Sequence, residues 1–172
     1  MACALTQGYT LDCADSYGGI KEIYLASVDD VTVAITAGVT TTVTKATGKR
    51  FYKYALTHQT SEVTESKTTN RETGGSSVAQ TIKIIINKLS VSVRNELELV
   101  GKNRLYVVAV DNNGTGWLYG YNTGLIMTVA DAKSGIKLAD RNGYEITFAG
   151  DVKELAVKVD STSLAALETP GT

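Results

Sequence analysis

Phe51-Tyr-Lys-Tyr-Ala-Leu-Thr-His58 and Val78-Ala-Gln-Thr-Ile-Lys-Ile-Ile-Ile-Asn87 flank the threonine-rich span Gln59–Ser77, and these three stretches decide the fold. The first puts Tyr52, Tyr54 and Leu56 on one strand face, with Lys53 and Thr57 on the other. The second sets Ile82, Ile84 and Ile86 opposite Thr81, Lys83 and Asn87. Both show the period of two expected of half-buried strands in an antiparallel sheet. The span between them runs for roughly twenty residues with almost nothing to bury, longer than a compact domain ordinarily leaves without structure or purpose. Threonine favours strands and Gly74-Gly75 suits a turn, so the span reads as a long polar β-hairpin or loop that orders only against a neighbouring subunit. Its candidate inter-subunit contacts are Thr60, Glu62, Thr64, Ser66, Thr68, Arg71, Gly74 and Gly75.

Working outward, Ile20 to Val28 reads as the first strand of the ordered core, and Asp29-Asp30 as a turn. Val31, Val33 and Ile35 alternate with Thr32, Ala34 and Thr36, the pattern of a strand with one buried face. Val39 to Thr44 is another β-branched run, and Thr47-Gly48-Lys49 a second turn. One helix stands out: Leu89, Val93, Leu97 and Val100 form an apolar stripe over residues 90–100, with Ser90 placed to cap its start and Gly101 to close its end. Arg104 to Val110 reads as a buried strand, Asp111-Asn-Asn-Gly114 as a hairpin turn, and Gly116 to Tyr121 as its return. Gly124 to Ala130, Tyr144 to Gly150 and Ala156 to Val159 complete a set of about nine strands.

The expected fold is therefore mainly β, a β-sandwich or partial barrel with one flanking α-helix. An extended N-terminal arm occupies residues 1–19, a single β-rich domain residues 20–160, and a loose tail residues 161–172. The 172 residues fit one domain with small appendages, and 43% hydrophobic content supplies a core. One proline against 16 glycines suits many strands joined by glycine turns. A net charge of -1, from 17 basic and 18 acidic side chains, leaves no basic footprint for duplex DNA or an anionic membrane. No apolar run reaches the ~18 residues of a membrane span. The opening residues lack the charged and apolar regions of a secretory signal, so synthesis in the cytosol is expected.

Catalytic chemistry finds little footing. His58 is the sole histidine and has no nucleophilic context. No G-x-S-x-G elbow occurs. Asp111-Asn-Asn-Gly-Thr-Gly116 lacks the register and the closing glutamate of a calcium loop. Gly114 to Gly120 precedes strand-like residues, where a phosphate cradle needs a helix N-terminus. Cys3 and Cys13, with one histidine, fall short of a zinc set and read as two reduced thiols. Alternation puts Trp117, Tyr119 and Tyr121 on one face, which serves as packing, a subunit contact or a sugar platform. The expectation is a structural or binding protein, not an enzyme, with no cofactor and no metal.

The layout from Ile20 to Val159 resembles that of the tail tube proteins of tailed bacteriophages and of related contractile injection machines. The opening Ala4-Leu-Thr-Gln-Gly-Tyr-Thr-Leu-Asp-Cys-Ala-Asp-Ser-Tyr-Gly-Gly-Ile-Lys-Glu-Ile-Tyr24 is similar to that of virion proteins from phages and prophages of Bacteroidetes-type hosts. So are Arg104 to Gly114, Gly116-Trp-Leu-Tyr-Gly120 and Asn142-Gly-Tyr-Glu-Ile-Thr-Phe148. The resemblance implies a structural virion protein, a homo-oligomer whose hexameric rings stack into a tube beside other tail proteins. DNA then passes only as cargo in the lumen, and no membrane is involved. Such a lumen is polar without being basic, because fixed cations would hold phosphates. A capsid decoration, head fibre or tail terminator protein is the alternative within the virion, and a carbohydrate-binding sandwich using Trp117, Tyr119 and Tyr121 the alternative outside it.

Overall fold

In the computed structural model, residues 8–9 and 16–171 are described. Cys3, Cys13 and most of the N-terminal arm lie outside them. The fold is mainly β, with eleven strands in two sheets and two α-helices among the described residues. The strands are β1 (Ile20–Ser27), β2 (Val31–Thr36), β3 (Val39–Lys45), β4 (Tyr52–Ala55), β5 (Glu62–Thr69), β6 (Ser76–Asn87), β7 (Leu105–Asp111), β8 (Gly116–Tyr119), β9 (Ile126–Lys133), β10 (Gly143–Val152) and β11 (Val157–Val159). The helices are α1 (Val91–Val100) and α2 (Ser161–Ala165). Seven strands form a wide sheet in the order β2-β3-β11-β8-β7-β1-β4, and four form a narrow one in the order β5-β6-β10-β9.

The wide sheet is buried on both faces at its centre, which explains why β7 is apolar at every position from Leu105 to Val110. Ile23, Leu25, Val107 and Ala109 point toward the narrow sheet, where they meet Ile82, Ile84, Ile146 and Phe148 and the helix residues Leu97 and Val100. Their alternates Tyr24, Ala26, Tyr106 and Val108 point the other way and pack with Phe51 and Leu167. Helix α1 forms as its apolar stripe requires. Ser90 Oγ accepts from Val93 N at 3.3 Å, and the N–H of Gly101 donates to Leu97 O at 2.9 Å. Gly101 also lets α1 lie close to β9, since a Cβ there would fall 2.8 Å from Met127 Cε.

Several expectations change. The tail is not loose: α2 begins with Asp160 as its cap, Leu167 has no exposed surface, and Phe51 N donates to Leu167 O at 3.1 Å. Lys45 Nζ reaches the carbonyls of Ala166 and Thr169 at 2.5 and 2.6 Å. This second helix covers the face of the wide sheet that the narrow sheet leaves open. Phe51 therefore sits on the opposite face from Tyr52 and Tyr54, buried against the tail. The strand that it opens is only four residues long and stops before His58.

The polar span also differs from its expectation. Its residues pair within the chain, Glu62 opposite Lys83 through Thr69 opposite Ser76, so no neighbour is needed to order it. Its turn is closed by Asn70 N donating to Gly75 O at 2.9 Å and by Gly74 at φ +68. At its base, Glu65 and the buried Gln80 join the hairpin to the body, so excising the whole span would remove part of the packed structure.

Candidate functional site

The narrow sheet ends in two strands, β5 and β9, that each have a partner on one side only. Such edges carry a row of unpaired backbone donors and acceptors ready to receive another strand. Strand pairing fixes which side chains share the face turned away from the core. On β5 they are Glu62, Thr64, Ser66 and Thr68; on β6, Ser77, Ala79, Thr81, Lys83, Ile85 and Asn87. On β10 they are Glu145, Thr147, Ala149 and Asp151, and on β9, Ile126, Val129, Asp131 and Lys133. The face is rich in threonine and serine because no described residue covers it. Ile85 is its one buried apolar residue.

Its charges are arranged in a particular way. Four carboxylates, from Glu62, Asp131, Glu145 and Asp151, share the face with two ammonium groups, Lys83 and Lys133. Glu145 binds both lysines, at 2.5 Å to Lys83 Nζ and 2.7 Å to Lys133 Nζ. The hydrogen bonds and charges of Lys133 and Lys83 hold the Glu145 carboxyl down at about 2. At neutral pH both cations are thus engaged by one anion, and three further carboxylates set the sign of the surface. Beside the β9 edge, Ile126 and Val129 are 51% and 44% exposed, a small apolar margin on an otherwise polar face.

The sequence-predicted contact residues divide between two places. Glu62, Thr64, Ser66 and Thr68 fall together on the outer face of β5. Arg71, Gly74 and Gly75 lie in the turn at the hairpin tip, and Thr60 precedes β5, where its Oγ1 donates to Thr57 O at 2.8 Å. The β10 and β9 members were missed. The alternation of Glu145, Thr147, Ala149 and Asp151 within a strand was the available signal. Trp117 and Tyr119 do share a face, but it is the one that packs into the core. Gly120, at φ +80, ends the alternation, and Tyr121 joins the opposite cluster, so the three aromatics form no common platform.

The Asp111–Gly114 turn has a structural role. Asp111 Oδ1 accepts from the N–H groups of Asn113 and Thr115, and Asn112 and Asn113 hold the backbone of Gly18 and Tyr17. Among the described residues no group of three His, Cys, Asp or Glu side chains is placed to hold a metal ion. No helix among them is long and apolar enough to cross a membrane. No family model, curated protein or solved structure matches the chain.

Proposed function

We propose that this chain is a structural virion protein, the subunit of a phage tail tube, whose copies join β5 to β9 in a ring around a DNA-conducting lumen. The observation that carries the proposal is the narrow sheet itself, with free edges at both ends and a polar face whose two lysines are held by Glu145. Because β5 and β9 are different surfaces, the contact is heterologous, and rotation from copy to copy closes it into a ring. Six four-stranded sheets joined this way make a barrel wider than the 16–18-stranded porins, which already leave an aqueous channel. Turned inward, a carboxylate-bearing face with no disengaged ammonium group repels phosphate and lets DNA slide. The apolar margin at Ile126 and Val129 is then covered by the β5 row of the next copy. The six-fold count, the stacking of rings and the neighbouring tail proteins come from the resemblance of the sequence to tube proteins.

Negative-stain microscopy of the purified protein, from micromolar to millimolar concentration, tests this reading. Rings or tubes with a central channel are expected. Monomers alone across that range overturn it.

A further inference from the structure

The β9–β10 connection, residues 134–142, carries two apolar side chains that no described residue covers. Ile136 and Leu138 are 99% and 109% exposed. The turn beneath them is well bonded: Asp140 Oδ2 accepts from Ile136 N at 2.9 Å and Lys137 N at 2.8 Å, and Asp140 N donates to Lys137 O at 3.0 Å. Asn142 fixes its base against the start of α1, accepting from Lys88 N at 2.6 Å and from Leu89 N at 3.2 Å. Two large apolar groups held in water on an ordered turn, with Lys137 between them, mark an interaction site rather than a solvated loop.

At the other end of α1 lies a cleft of about 690 Å³ between β4 and the C-terminal half of the helix. Leu25, Tyr54 and Val100 line its interior, and Tyr52 and Leu99, 48% and 56% exposed, stand among its wall residues. Glu96 and Glu168 also line it. The other charged groups there are engaged: Asp30 with Lys49 at 3.1 Å, Lys53 with Glu22 at 2.8 Å, and Arg50 over the Tyr52 ring. The cleft thus offers apolar walls and two carboxylates, while the turn offers two apolar prongs with Lys137 and Arg141.

We propose that the 134–142 turn of one copy seats Ile136 and Leu138 in the β4–α1 cleft of a second copy, with Lys137 and Arg141 facing Glu96 and Glu168. The turn is held at the start of α1 and the cleft opens from Glu96 onward, so about five residues of helix, roughly 8 Å at 1.5 Å per residue, lie between them. Ile136 and Leu138 stand in solvent rather than in their own chain's cleft. The contact is heterologous and runs along the strands of the narrow sheet, at right angles to the β5–β9 joint. A head-to-tail contact that does not close produces an open stack. This inference rests on the tube reading and assigns it a second, axial contact: one joint makes the ring and the other stacks rings.

A cysteine pair tests the contact independently of ring closure. In a background with Cys3 and Cys13 changed to serine, protein carrying Leu138→Cys is mixed with protein carrying Leu99→Cys under mild oxidation. A disulfide-linked heterodimer is expected, reduced roughly tenfold when the first protein also carries Ile136→Asp, a loss of about 1.4 kcal/mol in binding. Yield no greater than with a control pair of Leu138→Cys and Thr42→Cys, the latter exposed on β3 of the other sheet, overturns the proposal. So does binding of wild type to neutral phosphatidylcholine vesicles that Ile136→Asp abolishes, without any heterodimer, since the turn then meets lipid. If the heterodimer forms but microscopy finds no rings, the ring reading falls and this contact stands. If wild type makes stacked tubes and Ile136→Asp/Leu138→Asp makes them equally well, this contact falls and the ring reading stands.

Discussion

Gln80 donates its side-chain amide to Glu65 Oε1 at 2.6 Å across the β5–β6 pair, and this contact fixes the base of the polar hairpin to the body of the fold. Neither residue stops there. Glu65 Oε1 also accepts from Ala156 N at 2.8 Å, and Gln80 Oε1 accepts from Gly120 N at 2.8 Å. Gln80 is 2% exposed, and the Gly120 N–H that it binds is buried, with no water to replace it. Gln80→Leu leaves the Gly120 N–H without its acceptor and removes the donor to Glu65, and is expected to destabilise the chain by about 1–3 kcal/mol. Urea unfolding measures this; an unchanged midpoint contradicts the assignment.

The second face of the wide sheet depends on the tail. Leu167 has no exposed surface and packs in the cluster with Phe51. Leu167→Ala is expected to cost about 2–5 kcal/mol, as for other buried leucines. Removal of residues 161–171 is expected to cost more, because Phe51 then loses its cover. Thermal melts followed by near-ultraviolet circular dichroism, which reports the tyrosine packing, check both.

Acid stability carries the signature of Glu145. Its carboxyl is lowered from an ordinary 4.5 to about 2 by Lys133 and Lys83. A carboxyl lowered in the folded state binds fewer protons than the unfolded chain between those values. Its stabilising effect is therefore complete above pH 4.5 and lost as the pH falls toward 2. Glu145→Gln should flatten the stability curve across that window and leave its slope above it unchanged. A curve of the same shape as wild type refutes the role given to Glu145.

The β9 edge is where the proposed joint is tested most directly. Val129→Lys places a charge on the exposed margin beside the free edge, a device by which natural sheets prevent edge pairing. It is expected to change monomer stability by less than about 0.5 kcal/mol, as a surface substitution, and to abolish rings in negative stain. Rings that persist at wild-type abundance place the joint elsewhere.

Much of the architecture was legible where burial writes a clear pattern. The unbroken apolar run of β7 and the stripe of Val93, Leu97 and Val100 in α1, with Leu89 packed just ahead of its cap, each have one physical explanation, and the chain adopts it. β5 resisted because its Glu, Thr, Ser and Lys side chains are polar on both faces. Only pairing with β6, set by the Asn70–Gly75 turn, makes it a strand. The tail resisted because a single apolar anchor, Leu167, sits among small and polar residues, and its partner Phe51 is far away in sequence. For the candidate site, the β5 half was visible as an oddity of composition. The β10 and β9 half was not, since residues such as Glu145 and Asp151 gain meaning only when the pairing sets Glu145 opposite Ile85, within reach of Lys83, and Asp151 opposite Ala79.

In the hydrogen-bonded order, the β2–β3 hairpin joins the wide sheet through β11 alone, with Val39 and Thr40 beside Lys158 and Val159 in a parallel pair. Such a pairing between distant segments is slow to form. It also cannot begin until residues 157–159 have left the ribosome. Completion of the wide sheet therefore waits for β11, while the narrow sheet's β5–β6 hairpin is made earlier. The strand that ties the β2–β3 hairpin to the rest of the wide sheet is thus made about 110 residues after the hairpin itself, so two early strands wait for a late one to give them a place.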